Sequence, residues 1–195
     1  MHSIAKTGIA LTLLTGTSVA AYYTKDYFSE RIDQKLQGIR VNDEAGWSKK
    51  QQAIKKASAA PNALVDDLAK IKEDIEKIKQ WCQNNYRAYY DGEKDTRFKN
   101  VQTYCIYNNK DKLPEGVIEE NGDWTTANGV LTSKQPADNL STKMQEIKTK
   151  LSGVTPPNTN ALKEWCLAYY EEIWKETKTD DFKDAETYCV KKTSP

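Results

Sequence analysis

Apolar residues fall at helical intervals over most of this chain. The longest run is Leu64, Leu68, Ile71, Ile75, Ile78 and Cys82, separated alternately by four and three positions. That is the a/d spacing of a heptad seam, with Asp, Glu and Lys outside it. It predicts one helix capped by Asn62 and continuing to Tyr90, and it offers a face for self-association. Upstream, Asn42 or Asp43 caps a helix carrying Trp47 and Ile54 that ends before Pro61. Tyr27, Phe28, Ile32 and Leu36 mark a further helix, stopped by Gly38. Downstream, Leu140, Met144, Ile147 and Leu151 repeat the stripe until Gly153 and Pro156-Pro157 break it. Leu162, Cys166, Tyr169 and Ile173 begin another. Between them, Pro114, Gly116, Asn121-Gly122, Asn128-Gly129 and Pro136 punctuate a stretch read as a linker holding one buried aromatic, Trp124.

Part of this pattern occurs twice. Raising every index by 84 carries Trp81-Cys82 onto Trp165-Cys166 and Tyr104-Cys105 onto Tyr188-Cys189 without a gap. Tyr86/Tyr170, Lys94/Lys178, Phe98/Phe182, Lys99/Lys183 and Thr103/Thr187 coincide as well. In the first copy Cys82 lies ten positions before Gly92, and Cys105 ten positions after Asp95. Gly92 suits the left-handed end of a helix and Asp95 the cap of the next. Two arms of about 15 Å would then bring both sulfurs to the open end of a helical hairpin. In the second copy Asp180 is the expected cap. Glu176 stands where Gly92 stood, so that turn is expected to close differently.

Equal arms favour Cys82–Cys105 and Cys166–Cys189 among the three pairings that four cysteines allow. Free buried thiols stay open as an alternative, since Cys packs well as a small hydrophobe. A zinc site shared by all four has little support, because no tight C-x2-4-C pair is present. Disulfides imply an oxidising compartment and hence export. Lys6-Thr7 followed by the apolar run Gly8 to Ala21 supplies the means. The segment from Ser3 to Tyr23 is just long enough to span a bilayer core. Tyr22 and Tyr23 then sit at the aromatic belt with Lys25 beyond. It reads as an uncleaved anchor, with cleavage after Ser18-Val19-Ala20 and secretion as the alternative.

Composition narrows the function. Hydrophobic residues make up 38% and charged residues 29%, which fits thin-striped amphipathic helices. A net charge of +1 from interleaved acids and bases leaves no footprint for nucleic acid. The only histidine is His2, so the exported part lacks Ser-His-Asp and Cys-His arrangements. No phosphate-binding glycine loop or EF-hand loop occurs. Neighbouring acids such as Glu171/Glu172 and Asp180/Asp181 read as solvated faces or helix caps. No enzyme, cofactor or metal is therefore expected. The aromatics are the candidates for outside contact: Tyr86, Tyr89 and Tyr90 in one copy, and Tyr169, Tyr170 and Trp174 in the other. Tyr and Trp anchor interfaces well, but filling a core is the alternative use.

The short N-terminal apolar segment, IKQWC at Ile78 to Cys82, LKEWC at Leu162 to Cys166 and the D-x-F-K-x-x-x-T-Y-C run ending at Cys189 resemble a known set of proteins. They are similar to the large paralogous families of membrane-anchored surface proteins in haemotropic mycoplasmas. The resemblance implies a tethered protein on a wall-less bacterium, with roles in host-cell attachment or antigenic variation, and no catalytic residues.

The expectation is an all-α chain with a signal or anchor helix followed by two tandem disulfide-closed helical-hairpin repeats. Residues 1–23 form the membrane segment, 24–110 the first repeat, 111–139 the linker and 140–195 the second repeat. The bulk of the chain is expected outside the cell, as a surface antigen or an adhesin meeting a host protein or glycan. The alternative is an oligomeric stalk joined through Leu64, Leu68, Ile71, Ile75 and Ile78.

Overall fold

Asp43, Asp74, Asp95, Asn108, Ser141 and Thr179 each accept a hydrogen bond from the backbone N–H three residues ahead. Each of them opens a helix, because a short polar side chain satisfies one of the orphan donors of the first turn. The computed structural model describes residues 30–135, 138–153 and 156–191. The expected membrane segment, 1–23, lies outside them. Among the described residues no helix is long and apolar enough to cross a membrane.

The described part is all-helical. In chain order the helices are α1 (Ile32–Lys35), α2 (Glu44–Ala57), α3 (Asp66–Lys70), α4 (Ile75–Tyr86) and α5 (Thr96–Cys105). Then come α6 (Asn109–Lys112), α7 (Thr125–Thr132), α8 (Thr142–Ser152), α9 (Ala161–Glu171) and α10 (Asp180–Tyr188). Four isolated antiparallel bridges tie their ends: Arg31 to Tyr89, Arg40 to Ile106, Asn108 to Ile173 and Val117 to Val190. From Arg31 onward the chain forms one compact unit with two cores. One core runs from Ile32 to Tyr107 and the other from Leu113 to Cys189. Trp174 packs against both.

The expected cysteine pairs form, but not on equal helical arms: α4 runs only to Tyr86, well short of Gly92, while α5 spans Thr96–Cys105, and α9 likewise stops at Glu171. Cys82 is bonded to Cys105 and Cys166 to Cys189, with Cα atoms 5.7 and 5.8 Å apart and the partners 23 positions apart in sequence each time. All four are fully buried. Matching hydrogen bonds surround them. Tyr86 Oη donates to Cys105 O at 3.2 Å, and Tyr170 Oη to Cys189 O at 2.8 Å. Val41 N donates to Cys105 O, and Ile118 N to Cys189 O, both at 2.9 Å. Ile32 N donates to Ala88 O at 2.9 Å, and Asn109 N to Glu172 O at 2.8 Å.

Several local expectations are corrected. The heptad stripe is not one helix: α3 ends at Lys70, and Asp74 takes the N–H of Lys77 to start α4. Leu68 and Ile78 are fully buried, and Leu64, Ile71 and Ile75 pack at the edge of the same core. Two short helices thus deliver to an internal core what a straight helix would have laid along an exposed seam. Asn62 is not a cap but sits at φ 60°, a left-handed conformation that Asn tolerates. The buried Asn100 secures the turn after it, accepting from Val65 N at 2.8 Å and donating to Ala63 O at 2.9 Å. The helix carrying Trp81 ends at Tyr86, short of Tyr90. Thr179, not Asp180, caps α10.

Residues 111–139 are not a bare linker. They include α7, and they place Leu113, Ile118, Trp124, Ala127 and Leu131 in the second core. Pro114, Gly116 and Gly122 mark turns between pieces of core, whereas Gly129 lies inside α7. Glu176 also differs from expectation. It takes φ 61° where Gly92 takes 104°, so both turns use left-handed backbone. A side chain there clashes with its own carbonyl, and glycine does not. Glu176 is exposed, so Glu176→Gly is expected to stabilise the fold by about 0.5–1 kcal/mol, or roughly 1–4 °C in Tm. An unchanged or lowered Tm in a thermal melt would count against the strain.

Candidate contact surface

The helices sort the six candidate aromatics by depth. Tyr86 on α4 and Tyr169 and Tyr170 on α9 point inward and are buried. Tyr86 and Tyr170 spend their hydroxyls on the carbonyls beside the disulfides, and burial pushes the Tyr86 phenol up to about 12. Tyr169 stacks on Trp165 with ring centroids 5.3 Å apart. These three therefore fill the cores, because a hairpin with thin apolar stripes needs aromatic bulk to exclude water. They are not contact residues in this conformation.

The turn after α4 carries the remaining aromatics of the first copy. Tyr89 is the most exposed large apolar side chain of the described part, at 37%. The Arg31 guanidinium lies over its ring at 4.1 Å and donates to Arg87 O at 3.1 Å. Tyr90 is half-buried, set edge-on against Phe98 at 4.9 Å. At the position equivalent to Tyr90 in the turn after α9, Trp174 tilts against Phe182 at 4.8 Å. Its N–H donates to Tyr107 O at 3.0 Å, so it belongs to the join between the two cores. What stays on the outside is a patch of Tyr89, the edge of Tyr90 and the cations Arg31 and Arg40. Arg40 sits over the Tyr86 ring at 4.0 Å. A cation held on an aromatic face keeps its charge available while its stem packs, which suits a patch meeting acidic or aromatic groups.

Charge was not expected in the join between the cores, yet it is there. Lys50 on α2 is 1% exposed. Its Nζ lies 2.6 Å from Asp111 Oδ2 and donates to Thr103 O at 2.7 Å. Burial pushes its ammonium below the ordinary lysine range, and Asp111 opposes that shift. Asp111 also accepts from Asn108 N at 2.8 Å, closing the capping box of α6. At the rim, Glu119 takes Lys110 at 2.6 Å and Lys56 at 3.3 Å. Burial works to raise its carboxyl, and the two lysines override it, holding it below the usual range. Nothing in the local pattern around Lys50 told it apart from the exposed lysines beside it. Its partner is far along the chain.

Among the described residues no group of three or more His, Cys, Asp or Glu side chains converges as a metal site would require. Comparison with protein-family models, with curated proteins and with solved structures returns no match for this chain.

Proposed function

We propose that this chain is an exported, membrane-anchored surface protein, built from two tandem disulfide-closed helical repeats, that serves contact with the outside as an antigen or adhesin. The observation that carries the reading is the pair of buried disulfides with equal spacing, each wrapped by the same tyrosine and backbone hydrogen bonds. Cysteines joined in this way belong to an oxidising compartment. The apolar N-terminal segment provides the route there, and the resemblance to mycoplasma surface families points the same way. The repeat reading also extends upstream. With Trp47 set on Trp124, Arg31 falls on Asn108, Arg40 on Val117 and Ile54 on Leu131, and the bridges at those ends correspond. The first repeat then runs to Tyr107 and the second starts at Asn108, with residues 111–139 inside it. An enzymatic role has no residues to carry it in this reading. The stalk reading loses its exposed seam, since Leu68 and Ile78 face the core.

The test is display. Intact bacterial cells producing the full chain with a C-terminal epitope should bind antibody without permeabilisation. The purified chain should gain about 4 Da on reduction, two hydrogens for each disulfide. An epitope reached only after lysis, or thiols alkylated without reductant, would overturn the proposal.

A further inference from the structure

Asp91-Gly92, Asn121-Gly122 and Asn128-Gly129 each put a glycine directly after aspartate or asparagine. In such a pair the next main-chain nitrogen can reach the side-chain carbonyl carbon, because glycine sets no Cβ in the way. What the glycine N–H is doing in the fold decides whether it can move. Gly129 lies inside α7, where its N–H belongs to the helical ladder, and Asn128 Nδ2 donates to Thr159 O at 2.9 Å. Gly122 N donates to Glu119 O at 2.8 Å, and a Cβ added there would fall 2.9 Å from that same oxygen. Both asparagine pairs are held.

Asp91-Gly92 is placed differently. Asp91 is exposed, in the stretch that α4 leaves at Tyr86 and α5 takes up only at Thr96. The turn is tied through the carbonyl of Gly92, which accepts from Asp95 N at 3.1 Å. Among the described residues the N–H of Gly92 has no acceptor. Gly92 takes φ 104°, and nothing lies within 4 Å of where a Cβ would stand. Its peptide unit can therefore turn toward the Asp91 carboxyl group without displacing a neighbour. The second repeat has no such pair, since Lys175 and Glu176 occupy the same two positions.

We propose that Asp91 is a modification site in the folded chain, where aspartate isomerises spontaneously to isoaspartate with water as the only co-reactant. The main-chain nitrogen of Gly92 attacks Cγ of Asp91 and a C–N bond forms. One carboxyl oxygen leaves as water, carrying the amide proton and a proton from solvent, and a five-membered imide results. Water then adds to either imide carbonyl, the C–N bond to that carbonyl breaks, and a proton returns to solvent. Attack at the former main-chain carbonyl leaves the chain running through Cβ and Cγ with the α-carboxylate free. Attack at the other restores aspartate. Nothing is oxidised or reduced, and mass and charge end where they began. The Cys82–Cys105 bridge holds both arms while the turn between them changes shape. Tyr89 stands two positions before Asp91, so the change falls beside the exposed tyrosine. The proposal goes beyond the surface role and needs neither export nor display.

The experiment ages the oxidised full chain in non-ionic detergent at physiological pH and temperature, beside the same chain reduced and unfolded in urea. Isoaspartate is read with isoaspartyl methyltransferase and labelled S-adenosylmethionine after tryptic digestion. Trypsin releases Asp91 in the peptide Ala88–Lys94 and both asparagines in Leu113–Lys134, where fragmentation tells them apart. Each site is compared with itself, folded against unfolded, which removes the intrinsic difference between Asp and Asn. Asp91 should form isoaspartate in the folded chain within about threefold of its unfolded rate, as an unprotected turn does. Asn121 should slow about fivefold on folding, the equivalent of one net hydrogen bond. Asn128 should slow by more than about tenfold, since α7 must open first. Asp91→Ser should abolish the label in Ala88–Lys94. Asp91→Asn should form it faster than the wild type, because the amide loses ammonia and takes up no proton at a carboxylate. A thermal melt checks that both variants are folded, as the exposed position leads one to expect. An unlabelled Ala88–Lys94 from the folded wild type would overturn the proposal. So would an Asp91 slowed as much as Asn121, or an Asp91→Asn chain that labels no faster than the wild type.

Discussion

Replacing Cys166 and Cys189 together by alanine is expected to cost about 3 kcal/mol, and reducing both disulfides to unfold the chain near 37 °C. Each bridge closes a loop whose partners are 23 residues apart, which removes chain entropy from the unfolded state. The folded state needs that help. Hydrophobic residues are only 38% of the chain, and the buried ones among the described residues are divided between two cores. Small cores bury a poor fraction of their surface and often rely on staples. α9 and α10 meet at the bridge, so without it Tyr170 and Leu162 keep their burial only through packing. Because the bridges lie in different cores, the two double-alanine variants should be additive within about 0.5 kcal/mol. Urea unfolding of the wild type, each variant and the four-alanine chain measures this. A midpoint that barely moves on reduction would show that packing alone holds the hairpins.

Lys50→Met should be nearly as damaging. It leaves the Asp111 carboxylate buried without its cation, and breaking such a pair from one side costs roughly 3–5 kcal/mol. Lys50→Met with Asp111→Asn should recover most of that loss. The amide can still accept from Asn108 N, and neither partner carries charge. The pH dependence follows from the direction of the lysine shift. Burial lowers the folded value, so the unfolded chain holds more protons between that value and 10.5. Stability from this residue is therefore fully present above 10.5 and is lost as pH falls through the folded value. The wild type should gain on the double variant as pH rises toward 10.5. Parallel stability profiles for the two would mean that Lys50 is not desolvated as the structure places it.

The hairpins were legible because their information is local. The repeated spacing of Cys82 and Cys105, with Asp95 to cap the return helix, pointed to the right pairs, although the outgoing arm leaves the helix at Tyr86 and covers the remaining distance as a turn. The heptad stripe misled because periodicity reports which face is apolar and not whether the backbone bends between turns. Asp74 decides that by competing for the N–H of Lys77. The stretch 111–139 was misread for the opposite reason. Its turn residues are dense, while Leu113, Ile118 and Trp124 stand too far apart to show a period. Matching Trp124 to Trp47 held the clue, since it assigns the segment to a second copy of α2 and its approach. Lys50 was invisible for want of any local mark, because its carboxylate lies in a different helix, α6, far along the chain. The exposed tyrosine was named in advance, but with five companions that depth alone could separate.

The two cross-links also decide how the molecule answers a mechanical load. A pull applied between Arg31 and Lys191 runs through Cys82–Cys105 and Cys166–Cys189, not around the chain between them. The hairpin interiors cannot pay out length while the sulfurs are joined. Extension under such a load is thus confined to the connecting stretches, and the aromatics between the paired cysteines are shielded from it.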